Sequence, residues 1–265
     1  MTDRRFPTVE LSDPRWEVDG LRHATVFSRH LGRRGDCTLW WPREADGQLP
    51  LVVLLHGVYG SHWAWAFKAG AHRVAADLIA AGAPPFALAM PSDGLFWHGS
   101  GYVDNSGGDF AQWIIDDVPA LAAEVIGSVD HSAPLSLGGL SMGGFGALML
   151  GAHHAERVSS VLALSAITDF SQMELFVGSL DRYDVEPSWH SVAAAFAAVS
   201  TPPPVYLACG ADDVLIEPNR ELHRALLAQD VECTWVESSG GHEWEYWHTH
   251  LAGALTYAAA HAAQR

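Results

Sequence analysis

Leu51-Val52-Val53-Leu54-Leu55 is an unbroken apolar run without polar alternation. Such a run predicts a strand covered on both faces, as in a parallel sheet under helices. Short segments of the same kind recur at Phe86–Met90, Leu135–Leu140, Val158–Leu164, Val205–Cys209 and Cys233–Val236. Between them, Ala71–Ala81, Phe110–Ile126, Gly143–Ala152, Pro218–Gln229 and Tyr246–Ala260 read as helices. In the second of these, Phe110, Ile114, Val118, Leu121 and Val125 recur at spacings of three and four, and Pro119 predicts a kink or division. Alternation of strand and helix predicts an α/β fold with a predominantly parallel sheet and helices on both faces.

The ends and one interior stretch depart from that rhythm. Residues 1–20 are polar and irregular, which places them along the surface. Ala24–Ser28 and Cys37–Trp41 read as strands, and Gly32–Asp36, with two glycines, reads as the turn of an N-terminal antiparallel hairpin. Residues 166–200 hold Phe170, Met173, Leu175, Phe176 and Trp189 without a strand-helix beat, and read as short helices flanking a cleft. Nothing resembles an interdomain linker, so 1–265 reads as one domain.

Composition narrows the partners. With 49% hydrophobic and 17% charged residues, the chain has ample material for a core. The formal net charge is −16, with no Lys/Arg run, which repels phosphate backbones and excludes nucleic-acid binding. Cys37, Cys209 and Cys233 form no metal-type cluster; Cys37 and Cys209 sit in apolar runs and read as inert buried thiols. No apolar run reaches membrane-helix length, and the start lacks the apolar stretch of a secretory signal, so a cytoplasmic location without membrane contact is expected.

The sharpest local signal is Gly139-Leu140-Ser141-Met142-Gly143-Gly144, a G-x-S-x-G between a predicted strand and a predicted helix. A serine on such a strand-to-helix elbow is a candidate nucleophile: flanking glycines remove clashing side chains, and the helix N-terminus favours a developing oxyanion. Its hydroxyl needs a base, and the base needs an orienting acceptor. Asp212 and Asp213 follow the strand Val205–Cys209, and His242 follows Cys233–Val236, framed by Gly240 and Gly241. Both loops leave carboxyl ends of strands, so both reach one cleft. After Leu51–Leu55, His56-Gly57-Val58-Tyr59-Gly60 must approach the elbow closely. The Met142 N–H, with that of Val58 or Tyr59, is the candidate oxyanion hole, and His56 reads as a structural anchor of its loop.

These motifs resemble the putative-esterase family of α/β-hydrolases, which includes esterase D, feruloyl, acetylxylan and enterochelin esterases and mycolyltransferases. The resemblance rests on Leu54–Gly57, Met90–Gly94, Gly139–Gly144, Gly210–Asp213 and Gly240–Trp244, in that order. It implies an α/β-hydrolase fold with Ser141 as nucleophile, Asp213 as acid and His242 as base, and it requires no metal or organic cofactor. The implied activity is a serine carboxylic-ester hydrolase working through an acyl-Ser141 intermediate. An acyltransferase using the same intermediate is the first alternative, and a non-catalytic binding protein on the same fold the second. Leu140 stands where esterase D-type S-formylglutathione hydrolases typically carry histidine, which moves the expectation away from glutathione thioesters. Eleven tryptophans offer aromatic walls. Trp63, Trp97, Phe96 and Trp244 are the candidate substrate-binding residues, for a small or medium ester, aryl or sugar esters before long-chain lipids.

Overall fold

Alternate residues of Leu51–Leu55 point to opposite faces: Leu51, Val53 and Leu55 join one buried cluster, Val52 and Leu54 another. All five are buried, which accounts for the missing polar alternation. The computed structural model describes residues 5–262. It builds a nine-stranded sheet from β1 (Val9–Leu11), β2 (Arg22–Ser28), β3 (Arg33–Trp40), β4 (Leu51–Leu55), β5 (Ala87–Pro91), β6 (Leu135–Leu140), β7 (Val158–Leu164), β8 (Val205–Gly210) and β9 (Cys233–Ser238). Their spatial order is β1-β2-β3-β5-β4-β6-β7-β8-β9. The first three strands and the β3–β5 pair are antiparallel; from β5 through β9 every neighbour is parallel. This is the α/β-hydrolase fold with an N-terminal antiparallel region.

Helices cover both faces. On one lie α1 (Ala64–Lys68), α2 (Ala71–Ala80) and α9 (Trp244–Ala262), whose Trp65, Ala75, Leu251 and Leu255 pack with Leu54, Leu88 and Leu162. On the other, α3 (Phe110–Gln112), α4 (Val118–Ile126), α5 (Met142–His153), α7 (Val192–Ala197) and α8 (Ile216–Ala228) pack on Val53, Leu137, Val161 and Leu207. The short α6 (Glu174–Val177) lies in the stretch after β7, where single-turn helices replace the regular alternation.

The structure departs from these expectations at the N-terminal segment and the first turn and adds one unexpected helix, and it divides the predicted helix near Pro119. The N-terminal segment is not wholly irregular: Val9–Leu11 pairs antiparallel with Ala24–Val26, a strand too short to show a period of two. The β2–β3 turn precedes Arg33 rather than spanning Gly32–Asp36. Gly35 lies within β3, where a Cβ would come within 2.8 Å of the buried Trp113 ring, so that glycine serves packing rather than turning. The helix at Ala64–Lys68, only five residues long, has no periodicity to announce it. Pro119 falls in the first turn of α4, directly after a π-helical turn at Trp113–Asp117. A proline cannot donate to the carbonyl four residues back, and the widened turn takes up that mismatch. Among the described residues no helix is long and apolar enough to cross a membrane.

Candidate active site

The elbow is built by backbone meeting backbone. Ser141 closes β6 at φ 53° and ψ −118°, a left-handed φ that a serine adopts only under constraint. A Cβ on Gly139 would overlap the carbonyl of Gly143, and one on Gly143 would overlap the carbonyl of Leu55. Bonds from Ser141 N to Leu164 O (2.9 Å) and from Ile167 N to Ser141 O (3.2 Å) fix the turn to the end of β7 and the residues beyond it. Met142 begins α5, so its N–H has no carbonyl one turn earlier in the helix to bond.

Two later loops bring up the partners. Asp213, buried after β8, accepts from Leu215 N at 2.8 Å and from His242 Nδ1 at 3.0 and 3.1 Å. Burial works against this carboxylate, but the His242 and Leu215 hydrogen bonds and the imidazole charge outweigh it, leaving its pKa below the ordinary value. With Nδ1–H committed to Asp213, Nε2 is the acceptor that faces Ser141 Oγ at 3.0 Å. The neighbouring Asp212 is exposed, whereas the imidazole's carboxylate bonds go to Asp213. Phe176 of α6 stacks on His242 (ring centroids 5.1 Å apart, planes at 26°), and Trp247 meets it edge-on at 5.0 Å.

The loop after β4 is anchored from below. His56 is buried, accepts Asp93 N–H on Nε2 at 3.1 Å and donates Nδ1–H to Gly57 O at 2.7 Å, which makes it a neutral brace. Asp93 in turn accepts from Leu95 N and Ser100 N, and Tyr102 Oη donates to His56 O. The N–H of Tyr59 donates to His98 O at 2.9 Å, whereas that of Val58 has no backbone acceptor among the described residues. The Tyr59 hydroxyl hydrogen-bonds Phe176 O, tying this loop to the stretch after β7.

A cavity of about 270 Å³ opens at Ser141 and His242, walled by Val58, Tyr59, Trp63, Phe176, Trp244 and Trp247 among others. Trp63 and Trp244 therefore lie on it. Phe96 and Trp97 do not: Phe96 packs against Phe110 and Tyr183, and Trp97 stands outward under Arg182, 4.0 Å from its ring. Phe176 and Trp247 take their place, and only the register of α6 and α9 reveals that. Away from the cavity, His30, Asp116 and Asp117 bring possible ligand atoms within 4.8 Å of one another. Arg5 pairs with both carboxylates and Ser28 Oγ donates to the buried Asp117, so the group ties the N-terminal segment to the turn at Trp113–Asp117.

The sequence profile described as "Putative esterase" matches residues 28–258. The chain belongs to the putative-esterase family of α/β-hydrolases. Among its relatives, an acetyl esterase of Caldicellulosiruptor saccharolyticus is 24% identical over 240 residues, spanning 81% of this chain and 85% of that one. A solved ferulic acid esterase superposes with a TM-score of 0.73 at 22% identity, covering 97% and 99% of the two chains. An S-formylglutathione hydrolase from Agrobacterium tumefaciens superposes at 0.77 and 18% identity, with 97% and 99% covered. At these identities the superpositions speak for the fold. The family's ordered segments, from the β4 loop to the histidine loop, all fall inside the matched span.

Proposed function

We propose that the chain is a serine carboxylic-ester hydrolase, with Ser141 as nucleophile, His242 as base and Asp213 as orienting acid. The observation that carries this reading is the imidazole of His242 held between Asp213 and Ser141 Oγ, with 3.0 Å on the nucleophile side. His242 Nε2 takes the Ser141 proton as Oγ attacks the ester carbonyl. The C–O bond breaks as the imidazolium returns that proton to the leaving alkoxide, giving acyl-Ser141. Water then attacks the acyl carbonyl, gives its proton to His242, and the acid departs as Ser141 Oγ is reprotonated. Ionised Asp213 holds the tautomer and stabilises the imidazolium in both halves.

Met142 N–H and Val58 N–H are the proposed oxyanion donors. Val58 is preferred over Tyr59 because the Tyr59 N–H is already spent on His98 O. The aromatic walls at Trp63, Trp244, Trp247 and Phe176 and the 270 Å³ cavity suit a small or medium acyl group or an aryl ester. Acetyl and feruloyl esters and an S-formyl thioester, the classes named for the relatives, are the panel to assay first. Labelling of intact protein by a fluorophosphonate, located by peptide mass spectrometry, should fall on Ser141; labelling elsewhere, or none alongside aryl-acetate turnover, rejects the nucleophile. Three free thiols, of which burial pushes Cys209 and Cys233 up to about 12, suit a reducing cytoplasm, which cell fractionation tests.

A further inference from the structure

The chain has 31 acidic residues and 15 basic ones, and of the latter a single residue, Lys68, is lysine. Lys68 ends α1 on the wall of the cavity that holds Ser141. Among the described residues no carboxylate lines that cavity, and besides Lys68 the basic side chain on its wall is the His242 imidazole. Among the described residues Lys68 has no ion-pair partner; its ammonium lies 5.2 Å from the centre of the Trp244 ring. The nearby Arg73, by contrast, is bound to Asp19. In a molecule this acidic, an ammonium on the same cavity wall as the nucleophile, with no carboxylate on that wall among the described residues, is a built asymmetry of charge.

A neighbouring hollow also has Lys68 on its wall. This second hollow, of about 540 Å³, shares Trp244 with the cavity as well and runs over α1 and α2. The lining of that hollow also carries Asp77 and Glu245, and Asp19 paired with Arg73. A negative group on a bound ester therefore finds its unpaired cation at the Lys68 ammonium, which both hollows share. Trp247, on the wall of the first cavity, adds a buried indole N–H with no acceptor among the described residues.

We propose that the preferred ester carries a carboxylate, held by Lys68 at the junction of the two hollows, while its reacting carbonyl sits at Ser141. This deepens the esterase reading above and rests on it. Lys68 is a specificity determinant for substrate charge; the Ser141 chemistry does not pass through it.

Matched pairs of esters test the idea. On the acyl side, the mono-4-nitrophenyl ester of adipic acid is compared with its methyl-capped diester; on the alcohol side, 4-acetoxybenzoate is compared with its methyl ester. The wild type should favour the anionic member of at least one pair. The ratio of kcat/KM, anionic over neutral, should fall about three- to tenfold in Lys68→Met, survive in Lys68→Arg, and invert in Lys68→Glu. Raising ionic strength should erode the wild-type ratio and leave that of Lys68→Met flat. A ratio unmoved by Lys68→Met in both pairs overturns the proposal. Undiminished turnover of the neutral diester by Ser141→Ala would instead overturn the esterase reading on which it rests, so the two failures are told apart.

Discussion

On one side of the cavity at Ser141, backbone is packed on backbone: Gly139 against Gly143, Gly143 against the carbonyl of Leu55, and Ser141 bonded to the end of β7. On the other side, Phe176 reaches His242 from a four-residue helix in a stretch of single turns, joined to the β4 loop by the Tyr59 hydroxyl. The elbow has no room to move without breaking strand hydrogen bonds. The α6 side is held by the Phe176 stack on His242, the Tyr59 bond and the edge packing of Phe176 and Val177 on the core, and Leu175 beside it is exposed. Reaction geometry thus sits on the part that is fixed by the sheet, and the shape of the substrate wall on the part that is cheap to alter.

The largest effect is expected at the elbow itself. Ser141→Ala should lower kcat for an activated aryl acetate by on the order of 10⁴ to 10⁶, the scale seen when a triad nucleophile is lost. Its thermal midpoint should not fall, because Ser141 is held through backbone atoms. A variant retaining a tenth of wild-type turnover would remove Ser141 from the mechanism.

The adjacent acids of the β8 loop come next. Asp213→Asn should cost about 10³- to 10⁴-fold in kcat, through loss of the acceptor that sets the His242 tautomer. Asp212→Asn, at an exposed side chain, should stay within about twofold of wild type. The reverse order moves the acid to Asp212. Asp213 also carries a stability signature. Its folded pKa lies below the ordinary carboxylate value, so its contribution is complete above the unfolded value, near pH 4, and is lost as pH falls through the lower folded value. The gap in thermal midpoint between wild type and Asp213→Asn should therefore narrow only below about pH 4. A gap that closes nearer neutrality contradicts the lowered pKa.

How far the sequence could be read follows the same division. The elbow, the acid loop and the histidine loop were legible because each couples a glycine to the end of an apolar strand, and the chain writes both locally. Five of the six parallel strands were legible because they are buried on both faces; β9, at the sheet edge, is only half-buried, and its apolar Cys233–Val236 stretch is shorter. The identity of the cavity wall was not. Trp97 and Phe96 share a loop with groups that brace the site, yet their rings leave it, while Phe176, Trp247 and Lys68 reach it from elements whose rotation depends on tertiary packing. The observation behind the proposed choice of Val58 over Tyr59 was equally hidden, since it turns on one carbonyl, that of His98, arriving from another loop.

The α6 wall should respond more gently. Phe176→Ala removes the ring stacked on His242, a contact on the order of 0.5–1.5 kcal/mol beyond its buried area. The expected result is a two- to tenfold loss in kcat/KM, carried by both constants because the ring both steadies the imidazole and walls the cavity. A loss as large as that of Asp213→Asn would mean that α6 is part of the rigid frame, and the contrast between the two sides would fail.

Tyr59→Phe gives the smallest effect and the finest discrimination. It deletes only the hydroxyl that bonds Phe176 O, while the Tyr59 N–H keeps His98 O and so keeps the loop's backbone path. An exposed hydrogen bond of this kind is worth at most about 1 kcal/mol, so KM should rise no more than about fivefold with kcat nearly constant. If kcat falls instead, the bond is holding the Val58 amide in place rather than the α6 wall, and the β4 loop is less firmly braced by His56 and Asp93 than their buried hydrogen bonds imply. Adding Phe176→Ala to Tyr59→Phe separates the cases. If both act through α6, the double variant should be little worse than Phe176→Ala alone; additive losses would place Tyr59 on the elbow's side of the comparison.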